Sequence, residues 1–172
     1  LCEGTSCRIP VRSAAALGEQ LDADQPERRV GAGRDRAPAL PTDPEDWLNT
    51  DTPPSIAGLR GQVVVLDFWT SCCVNCQHVL PELDAVERRF EGQPVRVIGV
   101  HSAKFPAEKE REMVARAVAR HGVSHPVVLD PEHTLWSEYT VQAWPTLMVL
   151  DTDGRIAWRQ SGEVDRDTLG NV

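Results

Sequence analysis

The sequence predicts an α/β protein whose largely parallel sheet is covered by helices on both faces and closed by an antiparallel edge. Buried-strand and helix patterns alternate from about residue 63 to residue 150, and such alternation is typical of parallel sheets. The first strand pattern, at 63–69, is apolar apart from one acid, as in a strand covered on both faces. Asp153 and Gly154 then form a turn signal that predicts a terminal hairpin.

The elements are predicted as follows, with Pro81 expected to kink the first helix. Strands are expected at 63–69, 95–100, 126–129, 146–150 and 155–160, and helices at 73–90, 107–120 and 132–139. We expect residues 46–172 to form the domain, with the chain ending inside a last helix that starts near Asp165. Residues 1–45 lack sustained periodicity, so we expect an N-terminal extension, partly disordered, with a short helix at 13–21.

Composition narrows the class of protein and its partners. Hydrophobic residues make up 41% of the chain and charged residues 26%, with a formal net charge of −8. The acidic balance disfavours nucleic acid, because phosphate binding needs a basic face, and no apolar run approaches a membrane span. The five cysteines, three of them at 72–76, do not resemble a secreted disulfide framework. We expect a cytoplasmic location, with an extracytoplasmic one as the alternative.

Cys73 and Cys76 form a Cys-x-x-Cys pair where the first strand pattern passes into the first helix. The first thiol would lie over the unpaired N–H groups of the helix start, whose positive potential stabilises a thiolate. The second thiol follows one turn later, close enough for a disulfide. We therefore predict Cys73 as the nucleophile and Cys76 as the resolving, more buried thiol. A zinc site with Cys72 and His78 would crowd one turn, so we expect no metal or other cofactor.

Three further residues are candidates for the same site. Asp67 lies within the first strand pattern, either as an edge-facing acid open to solvent or as a buried carboxylate that accepts the Cys76 proton. Pro145, which follows Trp144, either starts a strand or forms a cis peptide bond that places backbone beside Cys73 for an extended substrate. We select Asp67 as catalytic and Trp144 and Pro145 as substrate-binding.

Four residues are candidates for modulating the cysteine pair. Carboxyl ends of parallel strands meet at one edge of a sheet, so the segment with His101 and Lys104 is either a solvated loop or a neighbour of Trp69 and Cys73. In the second case Lys104, or a protonated His101, would stabilise the Cys73 thiolate further. Cys72 is either a small packing residue or a thiol with a role of its own, as a third redox thiol, a trap for Cys73 intermediates or a partner for another chain.

The chain resembles known proteins in these motifs. Asp67-Phe68-Trp69, the Cys-x-x-Cys pair, Pro81 and Pro145-Thr146 are similar in order and spacing to thioredoxins, and the inserted helix before residue 126 resembles the cytochrome-maturation relatives. Longer strings resemble the N-terminal thioredoxin-like domain of NHL-repeat-containing proteins over about residues 38–164. These strings are Trp47-Leu48-Asn49-Thr50, Cys72-Cys73-Val74-Asn75-Cys76, His78-Val79-Leu80-Pro81, the run from Gly99 to Pro106 and Trp144-Pro145-Thr146-Leu147.

This resemblance implies a thioredoxin fold with a central mixed β-sheet, flanking helices and an inserted strand–helix element. It also implies a thiol–disulfide oxidoreductase that acts on protein disulfides or a redox partner protein, and a C-terminal NHL propeller in the full-length protein. Thioredoxins, however, carry tryptophan at the position of Cys72 and Gly-Pro at the positions of Val74-Asn75, a difference that should shift the redox poise. A non-catalytic scaffold or interaction module therefore remains the alternative. A peroxidase is disfavoured, because Leu66 stands where the peroxiredoxin loop requires proline.

Overall fold

The computed structural model describes residues 35–164 and Thr168. In chain order the elements are β1 (Trp47–Leu48), β2 (Val63–Trp69), α1 (Val74–Arg89), β3 (Val95–Ser102), α2 (Arg111–His121), β4 (Val127–Asp130), α3 (Thr134–Glu138), β5 (Thr146–Leu150) and β6 (Ile156–Ser161), with short 3-10 helices at Pro44–Asp46 and Pro106–Lys109. The expectations for residues 1–34, including a helix at 13–21, and for a helix from Asp165 fall outside the described residues.

The six strands form one mixed sheet in the order β1-β4-β3-β2-β5-β6. β2 and β3 are parallel, as are β3 and β4. β5 is antiparallel to β2 and β6, and β1 is antiparallel to β4. The predicted mixed sheet with helices on both faces is therefore confirmed, and the two-residue strand β1 at its edge is an addition to the prediction.

β2 occupies the centre of the sheet, and all seven of its residues are buried. Because side chains alternate along a strand, Val63, Val65 and Trp69 enter a core with α1 and α2. Val64, Leu66 and Phe68 enter a second core with α3 and the N-terminal segment, whose buried members are Ala37, Leu40 and Trp47. Asp67 falls on the α1 face by the same alternation. The strand that carries the acid thus runs directly beneath the helix that carries Cys76.

The described domain begins earlier than the predicted boundary at residue 46. Ala37 and Leu40 are buried in the second core, and the Ala37 amide donates to the Gly154 carbonyl at 3.0 Å. The Tyr139 hydroxyl donates to the Pro38 carbonyl at 2.8 Å. Residues 35–45 are therefore an integral part of the fold, although their Pro-rich sequence shows no strand or helix periodicity.

One helix prediction differs from the structure in detail. α1 spans Val74–Arg89 with Pro81 inside it, and the predicted kink there stays a prediction. α2 begins at Arg111 rather than near residue 107, because Pro106–Lys109 forms a separate 3-10 turn. That turn places Glu108 against the cysteine segment, as described below.

Candidate active site

The cysteine segment connects β2 to α1. The Cys73 amide donates to the Thr70 carbonyl at 3.2 Å, which closes a tight turn after β2. Cys73 is the N-cap residue of α1, and its Sγ accepts a hydrogen bond from the Cys76 amide at 3.3 Å. The helix start therefore directs the Cys76 N–H, which has no partner within the helix, to this sulfur.

Cys73 and Cys76 differ sharply in access to solvent. Cys73 is half-buried, whereas Cys76 is fully enclosed. Burial raises the pKa of the Cys76 thiol well above its usual range, and its contact with Cys73 and the charge of Asp67 raise it further. Cys72, Cys73 and Cys76 are all free thiols. The pair thus joins one thiol that is partly open to solvent to one that is buried and protonated.

Asp67 is completely buried in the central strand, not exposed at an edge. It lies in register with Gly99 of β3 and Leu147 of β5. Neither carboxylate oxygen has a hydrogen-bond partner among the described residues. Burial raises the pKa of Asp67 to about 7, so this carboxyl group can gain or lose a proton near neutral pH.

Glu108 holds the segment that precedes Cys73. Its Oε1 accepts the Thr70 hydroxyl at 2.8 Å, the Ser71 hydroxyl, and the Cys72 amide at 2.9 Å. Its Oε2 accepts the amides of Lys104 and Phe105, each at 3.1 Å. Burial opposes ionisation, but the donors outweigh it and lower the pKa of Glu108 to about 2. An ionised carboxylate therefore ties the loop after β2 to the loop after β3.

Cys72 faces the same carboxylate. Its side chain is exposed and its Sγ donates to Glu108 Oε2 at 3.5 Å. Partial burial, the Glu108 charge and this hydrogen bond raise the pKa of the Cys72 thiol, while Lys104 acts in the opposite direction. An exposed side chain of this kind does not serve as a packing residue.

His101 lies beside the cysteine segment, because β3 runs two residues further than predicted. It pairs in register with Trp69, and the two rings meet edge to face at 5.0 Å. Its Nε2 accepts the Ser71 amide at 3.1 Å. Burial lowers the pKa of His101 to about 4. The ring is therefore a neutral acceptor near pH 7, so it is not the protonated imidazole that one of the two alternatives for this segment invoked.

Lys104, Trp144 and Pro145 lie at the same end of the sheet. The Trp144–Pro145 peptide bond is cis, and the next residue, Thr146, pairs with Phe68 near the end of β2. The Lys104 ammonium lies 5.9 Å from the Trp144 ring, and that ring packs at a tilt against Trp136 with 4.3 Å between the centroids. Lys104 therefore borders the proline loop.

Sequence reasoning missed Glu108, Thr70 and Ser71 as parts of this site. Thr70 and Ser71 are adjacent to the motif, but Glu108 is one of 26 acidic residues and its turn lies about 35 positions further along the chain. Its only sequence signal is its place shortly after the carboxyl end of a parallel strand, where site residues collect. Within residues 35–164, no group of three histidines, cysteines or acids is arranged to hold a metal ion, and no helix there is long and apolar enough to cross a bilayer.

Residues 61–156 match the family model described as Thioredoxin-like. The chain is 44% identical over 127 residues to Protein SUPPRESSOR OF QUENCHING 1, chloroplastic, of Arabidopsis thaliana, covering 74% of this chain and 12% of that protein. It is 44% identical over 135 residues to NHL repeat-containing protein 2 of Homo sapiens, covering 76% and 19%. The chain thus spans less than a fifth of the length of these two relatives.

Solved structures resemble it as well. A thiol-disulfide isomerase from Corynebacterium glutamicum has a TM-score of 0.68 and 29% identity, with 78% of this chain and 92% of that chain covered. The predicted thioredoxin fold and the resemblance to NHL-repeat-containing proteins are therefore confirmed, and the homologues support a redox role in general terms. The three cysteines lie in the active-site region of this fold, and the chain belongs to the thioredoxin-like family.

Proposed function

We propose that this chain is a thiol–disulfide oxidoreductase that acts on protein disulfides, with Cys73 as nucleophile and Cys76 as resolving thiol. The observation that carries the proposal is the contrast within the pair: Cys73 is accessible at a helix N-terminus, and Cys76 is buried above an acid whose pKa is about 7. A scaffold without chemistry has no need for a buried, unpartnered carboxyl group, which is costly to keep.

The reaction proceeds in two exchanges. The Cys73 thiolate attacks one sulfur of the substrate disulfide, the substrate S–S bond breaks, and the departing thiolate takes a proton from solvent. Cys76 then passes its thiol proton to the Asp67 carboxylate and attacks Cys73 Sγ. The mixed disulfide breaks, a Cys73–Cys76 disulfide forms, and the second substrate thiolate leaves. The reverse sequence oxidises a dithiol substrate with the same atoms.

Exposed apolar side chains beside Cys73 support a polypeptide substrate. Val74 is 59% exposed and Phe105 is 54% exposed, and Glu108 links the Phe105 amide to the Cys72 amide. With the backbone at Pro145, these side chains would border an extended peptide. Lys104 adds a positive charge to this surface, so acidic residues near the substrate disulfide should favour binding.

The direct test is reduction of insulin disulfides with dithiothreitol as the electron source. We expect the wild-type chain to exceed dithiothreitol alone and Cys73→Ser to fall to that background, because the attacking sulfur is lost. Cys76→Ser serves as the matched control: when the reduced variant is freed of dithiothreitol and mixed with insulin, it keeps the first exchange but cannot resolve, so mass spectrometry should detect a persistent mixed disulfide at Cys73. If the wild-type chain has a reduced Cys73–Cys76 pair but reduces insulin no faster than dithiothreitol alone, the proposal is contradicted and the scaffold alternative is favoured.

We further propose that the full-length protein joins this domain to an NHL propeller. The support is the likeness to NHL repeat-containing protein 2, of which this chain covers 19%. In such an arrangement the propeller would present substrates or a redox partner protein to the Cys73 surface. Sequencing of the gene beyond the codon for Val172 tests this, and a transcript without NHL repeats would exclude it.

A further inference from the structure

Two adjacent thiols, Cys72 and Cys73, are both reachable from solvent, yet only one of them is positioned for a complete reaction. Cys73 receives the Cys76 amide at 3.3 Å, and Cys76 is the thiol that can resolve its mixed disulfide. Direct attack of Cys73 on Cys72 Sγ, to resolve a mixed disulfide there, would close a strained ring between neighbouring residues. Attack by Cys72 therefore gives an intermediate without the direct resolving step that Cys76 provides at Cys73.

The structure contains a group that distinguishes the two thiols. Glu108 Oε2 accepts the Cys72 Sγ–H at 3.5 Å, and Oε1 accepts the Cys72 amide at 2.9 Å. The carboxylate is held by hydroxyl and amide donors from two loops and is 3% exposed. It can neither rotate away nor become neutral at physiological pH without loss of those bonds. A fixed negative charge this close favours the S–H form of Cys72 over its thiolate.

The charged groups around Cys72 act unequally. The Glu108 carboxylate is in hydrogen-bond contact with Cys72 Sγ. The Lys104 ammonium, by contrast, is exposed and lies 5.7 Å from the centre of the Phe105 ring and 5.9 Å from that of the Trp144 ring. The Thr70 hydroxyl also donates to Glu108, and it favours a thiolate on Cys72. The net effect still disfavours the Cys72 thiolate. Cys73, by contrast, accepts a backbone N–H from α1.

We propose that Glu108 is the residue that selects between the adjacent thiols, keeping Cys72 protonated so that Cys73 alone attacks the substrate. Glu108 is thus a positioning and selectivity residue that acts through Cys72. The inference rests on the proposed function, since selection matters only if Cys73 attacks disulfides. It accounts for a feature that the motif itself leaves unexplained, which is how an exposed cysteine next to the nucleophile avoids competing with it.

The test measures alkylation of Cys72 by iodoacetamide in a Cys73→Ser chain, with peptide mass spectrometry to resolve each cysteine. Cys72 should react more slowly at pH 7 than the same cysteine in an unfolded peptide, despite its exposure. Adding Glu108→Gln should accelerate Cys72 about three- to tenfold at pH 7, because more thiolate forms while its intrinsic nucleophilicity falls somewhat. Glu110→Gln is the matched control, an exposed glutamate two residues away, and should leave the rate within about twofold.

A rate–pH profile separates charge from loosening of the loop. Loss of the carboxylate charge moves the midpoint of the profile to lower pH, whereas a looser loop changes only the plateau at high pH. An unchanged midpoint in Glu108→Gln, or a Cys72 that already reacts like the unfolded peptide, would overturn the proposal. These readouts do not depend on insulin reduction. An inactive wild type with a shifted Cys72 profile would therefore reject the proposed function and leave the Glu108 effect standing.

Discussion

Asp67 and Glu108 are two buried carboxyl groups on either side of the cysteine segment, and they differ in their supply of donors. Glu108 receives hydroxyl and amide hydrogen bonds from both flanking loops, and the pKa of Glu108 falls to about 2. Asp67 has no partner within the described residues, and its pKa rises to about 7. Between these values Glu108 is charged and Asp67 is protonated, so similar burial gives a fixed anion and a group that gains or loses its proton near pH 7.

Replacing Asp67 with asparagine should give the largest effect. Burial raises the pKa of Asp67 from the usual 3.8 to about 7 in the folded chain, so the folded state binds an extra proton between these pH values. Stability therefore falls as pH rises through this window, because the unfolded chain ionises first. Asp67→Asn removes this penalty, and we expect up to about 4 kcal/mol more stability at pH 8.

Urea unfolding at pH 8 and pH 4 checks this prediction. The stabilisation should nearly vanish at pH 4, where the folded wild type keeps Asp67 protonated. The same variant should also resolve the Cys73 mixed disulfide at least about tenfold more slowly, because the base for Cys76 is lost. An equal gain in stability at both pH values would show that Asp67 is not a neutral acid in the folded chain.

Replacing Glu108 with glutamine should have the opposite sign. The amide would direct N–H groups at the amides of Cys72 or Phe105, and leaving such part-buried donors unpaired costs about 3 kcal/mol at pH 7. Because the folded pKa of Glu108 lies below its usual value, its contribution is present above about pH 4.5 and is lost as pH falls towards 2. Chemical unfolding across pH 2–7 should show this loss of stability at acidic pH in the wild type and not in Glu108→Gln.

Removing one donor should give the smallest effect. Thr70→Val deletes a single hydroxyl hydrogen bond to Glu108 while keeping the side-chain shape, so we expect about 1 kcal/mol of destabilisation. Thr152→Val, at an exposed turn, is the matched control and should stay within about 0.5 kcal/mol. Thermal unfolding of both variants measures the difference. If Thr70→Val leaves the stability unchanged, the remaining donors hold Glu108 in place without the Thr70 hydroxyl.

The place of Asp67 in the site could be predicted from the sequence, whereas that of Glu108 could not. Asp67 interrupts an apolar run six residues before Cys73, and both its burial and its proximity follow from strand alternation and helix placement. Glu108 acts through contacts that form only when the 3-10 turn at Pro106–Lys109 folds back on the cysteine segment, and no spacing rule encodes that approach. The neutral state of His101 could not be predicted from the sequence either. It follows from the burial of the ring, which depends on β3 extending to Ser102.

The N-terminal segment has a mechanical consequence for the sheet. The Ile156 amide of β6 donates to the Asp35 carbonyl at 3.0 Å, and Trp47 and Leu48 pair with β4 at the opposite edge. Residues 35–48 therefore cross the sheet and fasten its two outer strands, with Ala37 and Leu40 buried on the way. Open strand edges recruit other chains into aggregates. This crossing segment covers the edge of β4 through its strand β1, and it covers the start of β6 at the other side of the sheet. It therefore limits edge-to-edge association of the domain.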